Sequence, residues 1–561
     1  DGADKTAGTL EARTQSFDIK KIMWDAYKRE TSSTGSRYPD VERAVRQYMT
    51  DGALLINYTG HGSPVLLSHE QVVKLHDFAS TSTANLPLWF TAACDIMPFD
   101  GQESNIGETA MLNRNGGAVA FIGTTRTVYA NYNEYLNKAF IIEMFGNADE
   151  NISIGEALRR AKNDMVSPSS GGYSNDYTDN KLHFALLGDP ALKLCKPTFA
   201  VEIDSIGGKK ADGSEPVTLR AGQAVTVIAH VKDKGHTLTD FKGVMAATVK
   251  DIKETIVCRA NETGNTSRAF KYEDRTGIIF HGADSVRDGR IEFSFIIPKD
   301  IKYKNGNGQI IIYAVNGDKT KTAHGSNDGF MLNGSVEAAA DSIGPSIYCY
   351  LNSTAFANGD NVNPTPHFFA EIYDESGINS SGGGIGHDLE LIIDGDMSKT
   401  YNLNDCFTYD FGSYKNGTLG YSIPRLEPGR HRLLFRAWDI LNNSSVAELT
   451  FNVVEGLGPN IINVDCTRNP ATTSTSFRIV HDRAGCHVNA LIEIFDMSGR
   501  LLWTHARDGM QADNTMTIDW DLTIDGGRPL GTGVYLYRVN ISGDGSSYTS
   551  KAKKLIVISN K

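Results

Sequence analysis

Two kinds of hydrophobic pattern divide the chain. Up to about residue 197, unbroken apolar runs alternate with stretches of helical period. Val41, Ala44, Val45, Tyr48 and Met49 fall on one face of "DVERAVRQYM". "ALLINYTG" follows as a continuous apolar strand. "SHEQVVKLHDFA" then predicts an amphipathic helix over residues 68–79 with Ser68 as its N-cap, carrying His69 and His76 on its surface. "LPLWFTAA" is the next strand, "NIGETAMLNRNGG" a helix closed by Gly116, and "GAVAFIGTT" a third strand. Continuous strands imply a sheet covered on both faces. The strand–helix–strand rhythm implies parallel neighbours with right-handed crossovers. Two helical stretches, "NEYLNKAFIIEMFG" and "SIGEALRRAKNDMV", follow, and the Gly/Ser-rich loop "SPSSGGYSNDYTDN" leads into "KLHFALLGDPALKL".

From about Phe199 the pattern changes to alternation with Gly/Asn/Asp turns. "AVTVIAHV", "GRIEFSFIIP" and "GQIIIYAVNG" form one group, and "PHFFAEIYDESG", "DLELIIDG" and "HRLLFRAWD" a second. "ALIEIFDMSGRLLWT", "MTIDWDL", "GVYLYRVNI" and "KKLIVIS" form a third. Met516, Ile518, Trp520 and Leu522 alternate with Thr517, Asp519 and Asp521, as a half-buried strand requires. Strands recurring every 8–12 residues or so predict immunoglobulin-like β-sandwiches. Small-residue linkers, "EAAADSIGPS" and "VEGLGPN", set the divisions. The expected organisation is an α/β parallel-sheet domain over 1–197 and three β-sandwiches over 198–340, 341–456 and 457–561.

Composition narrows the function. A net charge of −12 speaks against nucleic acid as a partner. No apolar run reaches the roughly 18 residues of a spanning helix. The opening "DGADKTAGTL" reads as a polar internal linker, which suggests that the chain begins partway through a longer precursor. Seven cysteines occur without a CxxC pair, so a zinc knuckle or redox motif is not expected. Pairings such as Cys349–Cys406 or Cys466–Cys486 are open. The odd number leaves at least one thiol free, and Cys94 is the best candidate.

The candidate chemistry lies where two apolar strands end. Reactive residues in an open parallel sheet gather at the carboxyl edge. His61 follows one strand, between Gly60 and Gly62, and Cys94 ends the next. An imidazole within reach can take a thiol's proton and make a nucleophile. Gly60 and Gly62 permit a tight turn and close substrate approach. The backbone N–H groups of Gly62 and Cys94 are the expected oxyanion donors. Met97 and Phe99 are candidates for an apolar wall, as is Trp89, whose better reading is plain core. A zinc site from His61, His69, His76 and Cys94 lacks the usual ligand spacing.

"YTGHGS", followed 33 residues after its histidine by the cysteine of "TAACD", then "SNIGETAML", "GAVAFIGTTR" and "FALLGDPALKL", resembles the gingipain family of cysteine peptidases, family C25. The resemblance implies a caspase-like α/β domain, with His61 as general base and Cys94 as nucleophile. No cofactor is required by that chemistry, and the family resemblance allows calcium. The acidic residue that orients the histidine, and part of the specificity pocket, lie upstream in that family; Asp18, Asp25, Glu30, Asp40 and Glu42 sit in no recognisable motif. The tail, "TRNPATTSTSFRIV", "LIEIFDMSGRLLWT" and "KKLIVISNK", resembles the C-terminal sorting domain of type IX secretion cargo, with its hairpin turn at Asp496, Ser498 and Gly499. Together these imply a bacterial cell-surface enzyme associated with the outer membrane. Absent adhesin repeats, the extra sandwiches and the "CDIMPFD" surroundings point to the sortase type. That type removes sorting domains from cargo and joins cargo to a lipopolysaccharide acceptor. Its implied partners are cargo proteins, the outer-membrane barrel PorV through the C-terminal domain, and an upstream segment of the same precursor. The other readings are a secreted gingipain-like digestive protease and a non-catalytic β-sandwich scaffold.

Overall fold

The computed structural model describes residues 1–32, 35–81, 83–101, 103–114, 116–146, 151–165, 178–261, 269–299, 301, 305–336, 341–381, 386–510, 514–525, 527–543 and 545–558. Near its start, the parallel strands β1 (Leu55–Thr59), β2 (Leu88–Ala92) and β3 (Ala120–Thr124) lie side by side in chain order. Leu55 faces Leu88 and Thr59 faces Ala92 in the first pair, and Leu88 faces Ala120 in the second. A fourth strand, β4 (Phe184–Leu187), adds antiparallel to β3, so the sheet is mixed rather than wholly parallel.

Strand alternation sends successive side chains to opposite faces. Leu88, Phe90, Ala120 and Ile122 pack against helices α5 (Ala130–Phe145) and α6 (Ile154–Asp164). Trp89 and Phe121 face the other way, with Val41 and Met49 of α2 (Pro39–Asp51), Phe78 of α3 (Leu75–Ser80) and Ile106 of α4 (Ile106–Leu112). Each large side chain so buried contributes roughly 2–3 kcal/mol. β2 and β3 are buried throughout; β1, at the sheet edge, is half-buried throughout.

Three expectations fail in this region. The helix over residues 68–79 forms only as α3. Before it the chain makes short strands, Gly62–Ser63, Leu66–Leu67 and Val73–Lys74, paired as a small sheet. Ser68 has φ 66° and Gln71 φ 56°, so Ser68 is no N-cap; buried Val72 and Val73 pull this segment into the core instead. The opening residues are not a linker: α1 (Gly2–Glu11) lies against α5 and β1, fastened by Lys5 to Glu134 at 3.3 Å. The helix expected to close at Gly116 ends at Leu112, its Asn105 cap accepting the Glu108 N–H at 2.9 Å. The loop over residues 167–180 lies outside the described residues up to 177; α7 (Thr178–His183) follows it.

The rest of the chain is β-rich. Among the described residues no strand ladder joins residues 199–335, 346–453 and 461–557 to one another. The first of these does not form two open sheets. Phe199–Ile206 pairs with both Ala224–Asp233 and Thr322–Asn327, so its nine-stranded sheet closes on itself, beside a separate three-stranded sheet. Nor are the first two groups separate in their cores. One apolar cluster runs from Val201 to Val453, and Phe280 stacks on Tyr409 at 5.2 Å. The α/β part is bound to this body by Lys21, whose side chain is 4% exposed and which donates to Asp4 and to the Glu273 carbonyl, both at 2.9 Å.

All seven cysteines are free, so neither suggested disulfide forms. Cys466 lies beside Tyr537, whereas Cys486 faces Asn363 and Thr365 of the preceding group. Burial pushes the thiols of Cys349 and Cys406 up to about 11, so both stay protonated.

The last two groups meet at His367, whose Nδ1 pairs with Ser422 Oγ at 2.9 Å. Gly485, with φ 67°, passes so close that a side chain there would overlap both. Burial lowers the His367 imidazole to about 4 from 6.5. A depressed folded value means that the unfolded chain binds the proton first as pH falls. The stabilising contribution is therefore complete above pH 6.5 and lost on descending towards pH 4, up to roughly 3 kcal/mol. His367→Gln is expected to flatten the fall in melting temperature between pH 7 and pH 4.5, measured by calorimetry; an unchanged slope would contradict this.

Candidate active site

The register of β1 and β2 decides what their ends can bring together. Thr59 sits opposite Ala92, and the Gly60 N–H donates to the Ala92 carbonyl at 3.3 Å. Two residues further along, the chains reach His61 and Cys94. The two series share a face. Asn57 and Thr59 bond Asn137 of α5, and Leu88, Phe90, Ala92 and Cys94 belong to the core that α5 closes. The strand ends that precede His61 and Cys94 therefore lie side by side.

Cys94 is partly buried, and its Sγ donates to the Val128 carbonyl at 3.5 Å, just before α5. The next residue, Asp95, takes φ 51°, which turns the chain sharply after the thiol. Its N–H donates to the Arg126 carbonyl at 3.3 Å, and Thr127 Oγ1 donates to its carboxylate at 3.0 Å. Arg126 then pairs with Asp100, whose carboxyl it holds below the usual range. The loop after β2 and the loop after β3 are thus tied together along one side of the thiol. His183, at the end of α7, braces the second loop: its carbonyl accepts the Thr125 N–H at 2.9 Å, and its Nδ1 lies 3.0 Å from the Thr127 carbonyl.

His61 is exposed, and its ring lies beside that of His69, centroids 4.9 Å apart. Its carbonyl accepts from the Ser68 N–H at 2.9 Å and from Tyr58 Oη at 2.6 Å. The first bond makes His61 and Ser68 a hydrogen-bonded pair, so Gly62, opposite Leu67, is the alternate kind, with its N–H outside the hairpin ladder. Gly62 runs close against the cysteine segment. An added Cβ would overlap Ile96 and sit 3.0 Å from Ala93 Cβ and 3.3 Å from the Cys94 carbonyl. A side chain there would require Ile96 to move and the two segments to part by a few tenths of an ångström.

Of the suggested apolar wall, Met97 and Trp89 are each 1% exposed and belong to the core, where Trp89 stacks on Phe121; only Phe99 reaches solvent, at 65%. His76 is exposed on α3, as expected, but His69 leaves that helix and joins His61. His61, His69, His76 and Cys94 do not bring three potential ligand atoms within 4.8 Å of one another. Among the described residues, only Asp341, Asp374 and Asp439 bring three potential metal ligands together, their oxygens within 4.8 Å, in the second β group. Four of the five upstream acidic residues have structural partners: Asp18 pairs with Lys250, Asp40 with Arg43, and Glu42 with Arg37 and Arg46. Asp25 holds the N–H groups of Ala260 and Asn261.

Pattern reading missed His69, Tyr58 and the Val128 carbonyl. The hairpin over residues 62–67 that brings His69 back leaves no periodic trace. Tyr58, three residues before His61, was legible only as an apolar strand position.

Residues 1–195 match the family model described as Peptidase family C25. Among solved structures, dimeric latent PorU from Porphyromonas gingivalis is 33% identical, covering 80% of this chain and 41% of that one, with a TM-score of 0.34. The Arg-specific cysteine proteinase gingipain R is 16% identical, covering 52% of this chain and 56% of that one, with a TM-score of 0.25. The chain thus spans less than half the length of the PorU chain. No curated protein matches it.

Proposed function

Given that residues 1–195 belong to peptidase family C25, we propose that this chain carries the thiol and imidazole of a PorU-like cysteine endopeptidase and sortase. The observation that carries the reading is the pairing of β1 with β2, which ends Thr59 beside Ala92, two residues short of His61 and Cys94.

In this reading His61 takes the proton of Cys94 as the thiol leaves its Val128 partner. The thiolate attacks the peptide carbonyl preceding a cargo sorting domain. The Gly62 and Cys94 N–H groups hold the resulting oxyanion, donors that fixed backbone supplies without reorganisation. His61 then protonates the leaving amine, the sorting domain departs, and a thioester joins Cys94 to cargo. An amine on a lipopolysaccharide acceptor attacks the thioester carbonyl, expelling the thiolate. Exclusion of water favours the amine over hydrolysis.

The proposed setting is the bacterial cell surface. Residues 457–561 would act as a type IX sorting-type domain that engages the outer-membrane barrel PorV, and an upstream segment of the same precursor would complete the specificity pocket. Among the described residues no helix is long and apolar enough to cross a membrane. Calcium, which the family resemblance allows, would find in Asp341, Asp374 and Asp439 an all-oxygen donor set suited to a hard cation. Its contribution there would be structural, and no step of the reaction runs through it.

A thiol-directed peptidyl inhibitor tests the reading. Labelling is expected at Cys94 and not at exposed Cys195 or buried Cys258, read by peptide mass spectrometry. Equal or preferential labelling of Cys195 would remove the support for an activated thiol at Cys94.

A further inference from the structure

The candidate base sits on an exposed loop, a poor place from which to aim an imidazole unless its backbone is held. The structure holds it at one atom. The His61 carbonyl accepts two hydrogen bonds, from the Ser68 N–H at 2.9 Å and from Tyr58 Oη at 2.6 Å. The first belongs to the hairpin ladder. The second comes from a side chain, and its geometry is guarded by sequence. Gly60 lies against the phenol so closely that a Cβ there would overlap Tyr58 Oη and lie 2.9 Å from its Cζ.

The phenol is itself seated. Its ring stacks on the indole of Trp24, centroids 5.5 Å apart and planes 23° apart. Burial raises the Tyr58 phenol well above its usual range, so it remains a donor at any working pH. Trp24 in turn is fixed by its neighbour. Asp25 accepts from the N–H groups of Ala260 at 2.9 Å and Asn261 at 2.8 Å, and its carbonyl accepts the Arg259 N–H at 2.7 Å. Those three residues belong to the first β group, so a chain of contacts runs from that group through Asp25, Trp24 and Tyr58 to the His61 backbone.

We propose that Tyr58 is a positioning residue for the candidate general base: its phenol, seated on Trp24, fixes the His61 carbonyl and thereby the imidazole's approach to Cys94. The inference rests on the peptidase reading above. Tyr58 touches no reacting atom in this role. It acts only through His61, and misplacing a catalytic group by about 1 Å can cost up to ~100-fold in rate.

The test is Tyr58→Phe in the full chain, which keeps the ring on Trp24 and removes only the hydroxyl. Peptide cleavage is expected to fall about tenfold in kcat with KM unchanged. Alkylation of Cys94 by iodoacetamide is expected to slow by the same factor at pH 7, where His61 acts as the base in this reading, but not at pH 10, above the value of about 8.5 at which free thiols in general ionise. The melting temperature serves as the control for folding. Gly60→Ala, which displaces the same hydroxyl by crowding, is expected to reproduce the kcat loss. Wild-type kcat and an unaltered alkylation profile in Tyr58→Phe, in a protein whose Cys94 is labelled and active, would overturn this inference alone. Slowing of alkylation equally at pH 7 and pH 10 would also overturn it, since that marks altered access to the thiol. Failure of the wild-type protein to cleave peptide or label at Cys94 would overturn the peptidase reading and this inference with it.

Discussion

Cys94→Ala is expected to abolish peptide cleavage, a loss of about 10⁴-fold or more in kcat, with the fold intact. The size follows from chemistry: without sulfur there is no acyl acceptor, and only binding and the backbone donors remain. The intact fold follows from the site. Cys94 is partly buried, its one polar contact is a 3.5 Å bond to the Val128 carbonyl, and alanine keeps the Cβ that packs beneath it. Removing one atom there costs about 1 kcal/mol or less. The assay is cleavage of a cargo protein bearing a sorting domain, followed by gel and intact mass, with calorimetry on the same sample. Retained processing would exclude covalent catalysis through this thiol.

His61→Ala is the second large effect. Loss of a positioned base lowers kcat by roughly 10²–10⁴. The imidazole is exposed, so its removal should leave the unfolding free energy within about 1 kcal/mol of wild type. The adjacent His69 ring, 4.9 Å away, is not expected to replace it, because His61 and not His69 directly follows the end of β1, whose partner strand leads to Cys94. The double variant Cys94→Ala/His61→Ala should be no worse than Cys94→Ala, as groups acting in one step are not additive. A His61→Ala protein with more than half of wild-type kcat would assign the base elsewhere.

What pattern reading could recover follows from what pattern encodes. Continuous apolar runs ending at "YTGHG" and "TAAC" placed the three parallel strands and the ends that carry His61 and Cys94, since burial on both faces leaves an unbroken hydrophobic signature. Helix period located α2, α5 and α6, whose apolar positions recur at helical spacing. The segment over residues 68–79 misled because Val72 and Val73 fit a helical face as well as a short strand, while positive φ at Ser68 and Gln71 has no hydropathy signal. The opening helix was hidden by its polarity. Only Thr6 of its residues is buried, and polar contacts such as Lys21 with Asp4 hold it. The β groups show the remaining limit: alternation at Ala224–Asp233 names an inner face but not the strand beside it, so sheet closure and the core shared with residues 346–453 emerge only in three dimensions.

Most directly, a structure of the protein with a peptidyl inhibitor bonded to Cys94 would test the shared crevice. The account predicts an imidazole nitrogen of His61 within about 3–4 Å of the sulfur and the inhibitor's oxygen facing the N–H groups of Gly62 and Cys94. An adduct in which the His61 ring points away from the sulfur, with another group occupying its place, would contradict it.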